Sequence, residues 1–369
     1  MVIGGGINGA GIARDAAGRG LSVLLVEQHD LAAHTSSASS KLIHGGLRYL
    51  EHREFGLVRK ALQEREVLLA AAPHLIRPLR LVLPHDAGQR PAWLIRLGLF
   101  LYDHLARRGR LPASGGVDLR RHPAGAGLKP AFRRGFIYSD AWTHDARLVV
   151  LNAIAAHERG AHIATRTALV GARRAADAWS LDLRSADGAM RSVQARLVVN
   201  AAGPWAGALL AGVLGVAAGH SLRLVKGSHI VVPRLFAHDF GYLFQHPDGR
   251  VVFALPFEER FTLIGTTDVD YHGDPAQAVT SSAEIDYLCD TVNRYLARPV
   301  TPAQVAWHFA GVRPLLDDAA DDAARVTRDY RLALDEADAP VLSVFGGKLT
   351  TYRKLAEQAV DRIAPLLGG

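Results

Sequence analysis

The sequence predicts an α/β fold in which a parallel-sheet domain, made from three separate stretches of chain, carries an inserted domain with an antiparallel sheet. Three observations predict it. A strand, a glycine-rich turn, a helix and a second apolar strand follow one another over residues 1–27, which is a βαβ unit. Strands that end in glycine turns recur at 197–205 and 341–351. Between them, strand-like runs with alternating polarity at 228–232, 251–255 and 261–265 favour antiparallel pairing.

The first unit carries a glycine pattern at its strand-to-helix turn. Gly4 permits the tight turn, Gly6 lets the backbone approach a pyrophosphate at the helix N-terminus, and Gly9 allows close packing of the helix. Glu27 ends the second strand 18 residues after Gly9, where a carboxylate can hold the hydroxyls of a ribose. The pattern indicates a dinucleotide but does not separate NAD from FAD. The nucleotide contacts predicted here are Gly4, Gly6, Ile7, Asn8, Gly9 and Glu27.

The other elements follow from apolar periodicity and from the positions of glycine and proline. Helices are predicted over 54–72, before Pro73, and over 145–158, whereas 79–136 is predicted to be irregular. Two short strands flank a turn at 186–188. The predicted nucleotide-binding domain comprises 1–78, 140–225 and 306–369, and the inserted substrate domain comprises 79–139 and 226–305.

Composition and charge exclude several classes of protein. With 49% apolar and 21% charged residues, the chain is not disordered, collagen-like or stapled by disulfides. Cys289 has no second cysteine to pair with, so a reducing, cytoplasmic setting is predicted. No apolar run reaches the roughly 20 residues of a membrane span, and Met1 precedes a strand instead of a secretory leader. The net charge of +7 favours anionic partners, but no basic run alternates with aromatic residues, so nucleic-acid binding is not expected.

Small polar residues after the ribose acid favour a flavin over a nicotinamide nucleotide. The serine-rich segment 35–41 and the paired glycines within 44–49 suit backbone contact with a large planar ring and a pyrophosphate. Further glycine turns lie at 200–205 and 345–351, and the second precedes a helix whose N-terminus can stabilise negative charge on a reduced flavin. The predicted FAD contacts in these segments are Ser36, Ser37, Ser39, Ser40, Lys41, Leu42, His44, Gly45, Gly46, Ala202, Gly203, Trp205, Gly346, Gly347, Lys348, Leu349 and Thr350.

Several strings, spread over nearly the whole chain, carry a family resemblance. They lie at 2–27, 36–50, 226–229, 265–268, 311–315, 327–330 and 345–354. Through them the sequence closely resembles the FAD-dependent, quinone-linked glycerol-3-phosphate dehydrogenases. The resemblance implies an FAD-binding fold of the glutathione-reductase or amino-acid-oxidase type, and it adds Gly311 to the FAD contacts. It also implies oxidation of sn-glycerol 3-phosphate to dihydroxyacetone phosphate, with electrons passed from FAD to quinone at the membrane surface.

The chain differs from that family at both ends. Only three residues precede the first glycine, where a core strand usually has about five or six. The chain stops at Gly369, where family members continue into a further helical domain. We therefore expect a truncated form that lacks the C-terminal helical domain and is less stable. Its activity and the formation of a homodimer are left open.

The same resemblance implies a set of substrate contacts. A phosphate dianion needs convergent cations, and arginine binds it through paired, charge-assisted hydrogen bonds. Arg48, Arg313 and Arg328 each lie inside one of the strings. The resemblance places them around the substrate, together with Tyr49 and Lys348.

Oxidation at carbon 2 also needs a base for the hydroxyl proton. A histidine with a near-neutral pKa fits this task. The candidates are His229, within Lys-Gly-Ser-His, and His44, beside the flavin glycines, with His229 favoured. Lys348 is the third predicted catalytic residue, while Thr267 and Asp268 are predicted to shape the pocket. No cluster of His, Cys and Asp has metal-ligand spacing, so no metal is predicted.

The segment 90–110 is predicted to attach the protein peripherally to a membrane. At about 100° per residue, its apolar residues fall on one broad arc and its charged residues in a narrow stripe. The arc comprises Trp93, Leu94, Leu97, Leu101 and Leu105, and the stripe comprises Arg96, Asp103 and Arg107. Flanking arginines can attract anionic lipid, and a quinone acceptor would place the protein at the cytoplasmic face of the inner membrane. The alternative is a core helix of the inserted domain.

Two other functions stay open at this point. One is an amino-acid oxidase of the same flavin superfamily, because a carboxylate substrate needs fewer cations than a phosphate does. The other is a non-catalytic remnant that binds flavin, since part of the family's chain is missing.

Overall fold

A computed structural model describes residues 1–51, 53–86, 88–217, 219–317 and 329–368. Its α-helices are α1 (Ile7–Gly18), α2 (Phe55–Ala71), α3 (Ala92–His104), α4 (Asp145–His157), α5 (Ala206–Gly212), α6 (Ser282–Asn293) and α7 (Tyr352–Ile363). Its strands are β1 (Val2–Ile3), β2 (Leu24–Val26), β3 (Leu42–Ile43), β4 (Ile76–His85), β5 (Gly115–Asp118), β6 (Arg134–Thr143), β7 (His162–Ala164), β8 (Thr167–Arg174), β9 (Trp179–Ser185), β10 (Met190–Ala195), β11 (Val198–Asn200), β12 (Leu222–Pro233), β13 (Gly241–Gln245), β14 (Val251–Phe257), β15 (Phe261–Gly265), β16 (Val269–Asp270), β17 (Trp307–Leu316), β18 (Arg331–Asp335) and β19 (Val341–Phe345).

The first sheet is parallel except at one edge. Its order is β18-β19-β11-β1-β2-β7, and only β18 runs antiparallel to its neighbour among these described strands. Val2 and Ile3 of β1 pair with both β2 and β11, and β11 pairs with β19. Strands from the start, middle and end of the chain therefore lie side by side, which confirms the predicted α/β fold.

Small residues bring helix α1 close to its neighbours. Gly11 faces α7, and a Cβ at Gly11 would lie 2.8 Å from Cδ2 of Tyr352. Ile12 of α1 and Leu355 of α7 are buried in the same apolar cluster as Leu25 of β2. This packing fixes the N-terminus of α1 relative to the carboxyl ends of the parallel strands, where ligands bind in open α/β sheets.

The second large sheet is mostly antiparallel. Along β16-β12-β15-β14-β13-β4-β6-β3, the β13–β4 pair is parallel; β17 pairs with β12, and β5 with β6. A separate antiparallel sheet, β10-β9-β8, contains the hairpin predicted around residues 186–188. The predicted inserted antiparallel sheet is thus present.

The structure corrects two details of the prediction. The region 79–136 is not irregular, because β4 and β6 pair over ten residues. The prediction rested on the proline, glycine and arginine content of this region, and β4 itself contains two prolines, Pro78 and Pro84. They lie outside the two residues of β4 that pair with β13, so their missing N–H groups need no partner on that side.

The second detail is the boundary predicted at residue 306. Strand β17, which follows it, pairs with β12 from Trp307 to Leu316 and so joins the antiparallel sheet instead of the parallel one. The long β12 offers a full-length partner, and the sequence of β17 alone does not reveal that pairing. The rest of the division into two domains stays a prediction.

Candidate functional site

A cavity of about 620 Å³ lies between the parallel sheet and the antiparallel sheet. Its walls come from the segments after β1, β2 and β11, from residues 33–49, and from β12, β17 and the turn 346–350. The volume is within the range of about 300–1,000 Å³ that small-molecule and cofactor sites occupy. The ends of parallel strands and the face of the second sheet thus enclose one site.

Helix α1 begins at the cavity wall. Gly4 has φ +112°, and a Cβ there would lie 2.4 Å from the carbonyl oxygen of Ala201. A Cβ at Gly9 would lie 1.9 Å from the carbonyl oxygen of Gly4, so Gly9 serves helix packing and does not line the cavity. Gly6, Ile7 and Asn8 do line it. The first N–H groups of α1 and its dipole favour an anion there.

Glu27 holds a carboxylate at the end of β2. Its Oε2 accepts a hydrogen bond from the Gly5 N–H (2.7 Å), and its Oε1 accepts one from the His29 N–H (2.8 Å). These bonds fix the carboxylate at the cavity wall. Each oxygen keeps a further lone pair for a ligand hydroxyl.

The serine-rich segment is held in place by hydrogen bonds to neighbouring elements and is not a solvated loop. Lys41 Nζ donates to Asp145 Oδ1 (2.7 Å), and both side chains are buried. Ser39 donates to Asp145 Oδ2 from its hydroxyl (2.7 Å) and its backbone N–H (3.2 Å). The Ser36 hydroxyl accepts from the Ile7 N–H at 3.0 Å. The segment is therefore tied to both α4 and α1.

Three predicted contacts, two in this segment and one at the glycine pair that follows it, support the wall of the cavity without lining it. Lys41 is buried on Asp145, and the Ser37 hydroxyl donates to the His34 carbonyl at 3.1 Å. The Gly45 N–H donates to Asp140 Oδ1, and a Cβ at Gly45 would lie 2.4 Å from Leu62. These three residues hold the backbone of the cavity wall in place but do not themselves line the cavity.

His229 of β12 is a buried, neutral histidine at the cavity. Its residue surface is 3% exposed, and its Nε2 lies 2.8 Å from Ser40 Oγ. Its ring stacks on Phe309 with centroids 4.9 Å apart. Burial, with the positive charges of Arg313 and Lys41, lowers the pKa of His229 to about 3. A pKa this low keeps the imidazole neutral but also makes it a weak base, because an efficient general base has a pKa near the working pH. The role of His229 as the base therefore stays a prediction.

Arg313 of β17 faces the same cavity. Its Nη2 donates to the Thr267 carbonyl (2.7 Å) and to Thr266 Oγ1 (3.2 Å), and its Nη1 pairs with Asp268. A Cβ at Gly227 would lie 1.9 Å from Nη2, so glycine leaves room for the guanidinium. Of the two residues predicted to shape the pocket, Asp268 lines it and Thr267 is buried behind it.

Four more predicted residues, Lys348, Tyr49, Arg48 and His44, line the cavity. Lys348 Nζ lies 3.9 Å from the centroid of the Tyr49 ring, and Arg48 lines the same cavity. His44 also lines it. Burial lowers the pKa of His44, and the positive charge of Lys348 adds to this effect although Asp140 opposes it. Both histidine candidates and three cations are thus brought together.

The predicted site residues fall into three groups. Those that line the cavity are Gly4, Gly6, Ile7, Asn8, Glu27, Ser36, Ser39, Ser40, Leu42, His44, Gly46, Arg48, Tyr49, Ala202, Gly203, Trp205, His229, Gly311, Arg313, Gly346, Gly347, Lys348, Leu349 and Thr350. Those that do not line it are Gly9, Ser37, Lys41 and Gly45. Arg328 lies outside the described residues. No group of three or more His, Cys, Asp and Glu residues in the described part of the chain is arranged to hold a metal.

Sequence reasoning missed an acidic group at the cavity. Asp140 of β6 is buried, lines the cavity, and accepts from Tyr102 Oη (2.6 Å), Arg65 Nη1 (2.8 Å) and the Gly45 N–H (3.2 Å). Tyr138, two residues earlier, lines the cavity too. The spacing of two is typical of one strand face. The pattern was overlooked because no element had been predicted between residue 136 and the helix at 145–158, where β6 ends.

Comparison with known proteins decides the family. The FAD dependent oxidoreductase family (DAO) matches residues 1–353. The chain is 57% identical over 366 residues to the glycerol-3-phosphate dehydrogenase of Pseudomonas aeruginosa, covering 99% of this chain and 71% of that one. It is 53% identical over 374 residues to the D-erythritol 1-phosphate dehydrogenase of Brucella abortus, covering 100% and 74%. The chain belongs to the FAD-dependent glycerol-3-phosphate dehydrogenase family.

A solved structure of the family carries the cofactor. The glycerol-3-phosphate dehydrogenase of Bacillus halodurans, complexed with FAD, matches with a TM-score of 0.78 at 29% identity, over 100% of this chain and 64% of that chain. FAD is the cofactor of this family, as predicted. This chain spans part of the length of each relative.

The described residues fit FAD. The N-terminus of α1 suits the pyrophosphate, and Glu27 suits the ribose hydroxyls. Asn8 Oδ1 is a buried acceptor at the cavity with no hydrogen-bond partner among the described residues, as a contact to a cofactor hydroxyl requires. Gly347 has φ +102°, and a Cβ there would lie 2.8 Å from the Asn8 side chain. The glycine backbone leaves this part of the wall open.

Replacing Glu27 with Gln should weaken FAD binding about 10- to 150-fold. The amide loses one acceptor oxygen and the negative charge, which is worth about 1.5–3 kcal/mol for a hydrogen bond to a charged group. Titration of the apoprotein with FAD, followed by flavin fluorescence, measures this. Glu158→Gln, at an exposed position beyond α4, is the matched control. Equal affinity in the Glu27 variant and the wild type would remove Glu27 from the ribose site.

Proposed function

We propose that this chain oxidises sn-glycerol 3-phosphate to dihydroxyacetone phosphate and that its electrons pass from FAD to a quinone at a membrane surface. The observation that carries the proposal is a neutral, buried His229 beside the guanidinium of Arg313, within one cavity that Arg48 and Lys348 also line. A phosphomonoester alcohol needs this combination of cations and base. The name of the relative at 57% identity supports the same substrate.

The chain's own residues bind the phosphate and move one proton. Arg48, Arg313 and Lys348 hold the phosphate dianion, which directs carbon 2 and its hydroxyl toward His229. When bound, FAD accepts the hydride that leaves carbon 2. His229 takes the hydroxyl proton at Nε2, the nitrogen that contacts Ser40 Oγ at the cavity wall. Loss of one hydride and one proton converts the alcohol to the ketone. His44 is the second candidate for the base.

The test is an anaerobic absorption spectrum of the FAD-loaded protein before and after substrate. Bleaching of the flavin band by sn-glycerol 3-phosphate is the expected result. D-erythritol 1-phosphate is the second substrate to add, because the relative at 53% identity is named for it. Bleaching by erythritol phosphate alone would reassign the substrate, and bleaching by glycine alone would favour the amino-acid oxidase. A flavin that none of the three reduces would favour a non-catalytic remnant.

Helix α3 supports the membrane part of the proposal. Trp93, Leu97 and Phe100 are 68%, 46% and 51% exposed, whereas Leu99 and Tyr102 on the opposite side are buried. The exposed apolar face differs from the predicted arc, because Leu101 and Leu105 are half-buried and Phe100 takes their place. No helix in the described ranges has both the length and the apolar composition of a membrane span.

The surroundings of α3 favour an anionic lipid surface as its partner. Arg90, Arg107 and Arg110 flank the helix and are exposed. Each basic residue near anionic lipid contributes about 1 kcal/mol, and apolar side chains add their burial in the interface. We therefore assign the protein to the cytoplasmic face of the inner membrane, where a quinone acceptor is reached from the bilayer.

Replacing Trp93 and Leu97 with serine should abolish most binding to anionic liposomes. Each large apolar side chain contributes about 1.5–3 kcal/mol when buried, so the double variant should lose more than about tenfold in partitioning. Flotation with the wild type and with Met190→Ser plus Val279→Ser, two apolar residues exposed elsewhere, provides the comparison. If both double variants float as the wild type does, α3 is not the anchor.

A further inference from the structure

The carboxylate of Glu284 joins the two segments that present His229 and Arg313. Glu284 is the third residue of α6 and is buried. Its Oε1 accepts from Ser228 Oγ and from Thr267 Oγ1, both at 2.8 Å. Ser228 precedes His229 on β12, and the Thr267 carbonyl accepts from Arg313 Nη2 at 2.7 Å. One oxygen of Glu284 therefore touches the neighbours of both functional side chains.

The negative charge of Glu284 sets the direction of these hydrogen bonds. A carboxylate can only accept, so the hydroxyls of Ser228 and Thr267 must both donate to it. The oxygen of the Thr267 hydroxyl is then free to accept from the Ser228 N–H, at 2.9 Å. The result is a closed set of bonds that holds the loop 266–268 against β12.

A half-buried cation keeps Glu284 ionised. Lys226 Nζ lies 2.8 Å from Oε2, and it also donates to the Val279 carbonyl at 2.9 Å. Burial alone would raise the pKa of Glu284, but hydrogen bonds from Lys226, Ser281 and Ser228 outweigh burial and lower it to about 2. The carboxylate is therefore ionised at neutral pH, where its oxygens only accept hydrogen bonds.

Capping of α6 does not account for this arrangement. The reciprocal capping box with Ser281 uses only Oε2, which accepts from the Ser281 N–H (3.0 Å) and hydroxyl (2.8 Å). A glutamine serves equally well in such a box. The bonds of Oε1 to Ser228 and Thr267 are additional to helix capping, and they point to the site.

We infer that Glu284 is a positioning residue for the phosphate-binding guanidinium of Arg313 and for the base His229, although it does not line the cavity. This inference rests on the proposed function. By holding Thr267 and Ser228, Glu284 fixes the carbonyl that orients Arg313 and the strand that carries His229.

The test is Glu284→Gln in the FAD-loaded protein. The glutamine amide presents an N–H donor to the hydroxyls of Ser228 and Thr267, which donate to the carboxylate in the wild type, so these hydroxyls must reorient. Lys226 also loses its negatively charged partner. We expect KM for sn-glycerol 3-phosphate to rise about 5- to 30-fold, the equivalent of one or two hydrogen bonds. FAD content should stay at the wild-type level. The dissociation constant of inorganic phosphate, measured by calorimetry, should rise by a similar factor without any turnover.

Two further comparisons separate positioning from general loosening of α6. Ser281→Ala removes the helix cap but leaves Oε1 in contact with the site, so it should lower the melting temperature without raising KM. Thr267→Val removes one hydroxyl bond and should raise KM as Glu284→Gln does, whereas Thr267→Ser keeps that bond and should recover most of the affinity. Equal KM increases in the Ser281 and Glu284 variants would overturn the inference.

The failure of the inference can be told from failure of the proposed function. If the wild type is reduced by sn-glycerol 3-phosphate and binds phosphate, and Glu284→Gln does both with unchanged constants, only the inference is overturned. If the wild type neither binds phosphate nor is reduced by the substrate, the proposed function fails and the inference fails with it.

Discussion

Replacing His229 with asparagine should lower kcat about 10²–10⁴-fold, which is the usual contribution of a positioned general base. Asparagine fills a similar space and retains a polar atom toward Ser40, but it cannot take the hydroxyl proton. FAD should remain bound, because the predicted nucleotide contacts lie on α1, at the end of β2 and in the serine-rich segment. Stopped-flow measurement of flavin reduction by sn-glycerol 3-phosphate, without oxygen, reports the step directly.

His44→Asn is the matched control for this result, since His44 lines the same cavity. We expect a much smaller effect on kcat from it. A large loss in the His44 variant with near-normal reduction in the His229 variant would transfer the role of base to His44.

The lowered pKa of His229 also predicts a pH dependence of folding stability. The unfolded chain binds a proton at this side chain near the ordinary pKa of about 6.5, whereas the folded chain does so only near pH 3. Between these two pH values the His229 side chain binds more protons in the unfolded state than in the folded state. The free energy of unfolding therefore falls as pH falls from about 6.5 toward 3, and this side chain does not affect it above that range. Urea unfolding at pH 5 and pH 7.5 should show a smaller difference for His229→Asn than for the wild type.

The sequence was most informative where structure depends on close neighbours along the chain. The requirement for glycine at Gly4 and Gly9 comes from one tight strand-to-helix turn, and Glu27 follows from the length of one βαβ unit. Such features repeat wherever the unit occurs. The pairing of β4 with β6 depends instead on contacts between distant segments, and the prolines of β4 masked it.

The same limit applies to the candidate site. The family strings contain both residues that line the cavity, such as Ser40, and residues that support it, such as Lys41. A string does not separate the two, because a buried ion pair is as intolerant of change as a ligand contact. The partner of Lys41 is Asp145, 104 positions away. Only the folded chain reveals that Lys41 bonds to Asp145 and does not line the cavity.

Glu284 makes two sets of hydrogen bonds, one to a near neighbour in sequence and one to residues far away in sequence. Ser281 and Glu284, three positions apart, form the capping box of α6. The second set of bonds of Glu284 reaches Ser228, 56 positions earlier, and Thr267, 17 positions earlier. No spacing rule connects these residues, since the antiparallel sheet brings them together.

Replacing Arg313 with alanine should raise KM for sn-glycerol 3-phosphate about 10- to 150-fold while leaving FAD content unchanged. Removing a charged hydrogen bond to the phosphate costs about 1.5–3 kcal/mol, and each 1.4 kcal/mol is about tenfold in affinity. Without the guanidinium, Asp268 also remains at the cavity as a negative charge that repels the dianion. Steady-state kinetics and the flavin absorbance of the purified variant give the two quantities.

Arg223→Ala distinguishes a lost substrate contact from a lost ion pair. Arg223 lies on β12, where its Nε and Nη2 each donate to Asp270 at 2.7 Å, outside the lining of the cavity. Its removal deletes a paired arginine from the same sheet, so KM should stay at the wild-type value. Of these two arginines, only Arg313 faces the cavity. If both alanine variants raise KM equally, the increase therefore comes from disturbance of the antiparallel sheet and not from a lost substrate contact. If neither does, Arg313 does not bind the phosphate, and the remaining cations at the cavity, Arg48 and Lys348, must hold it.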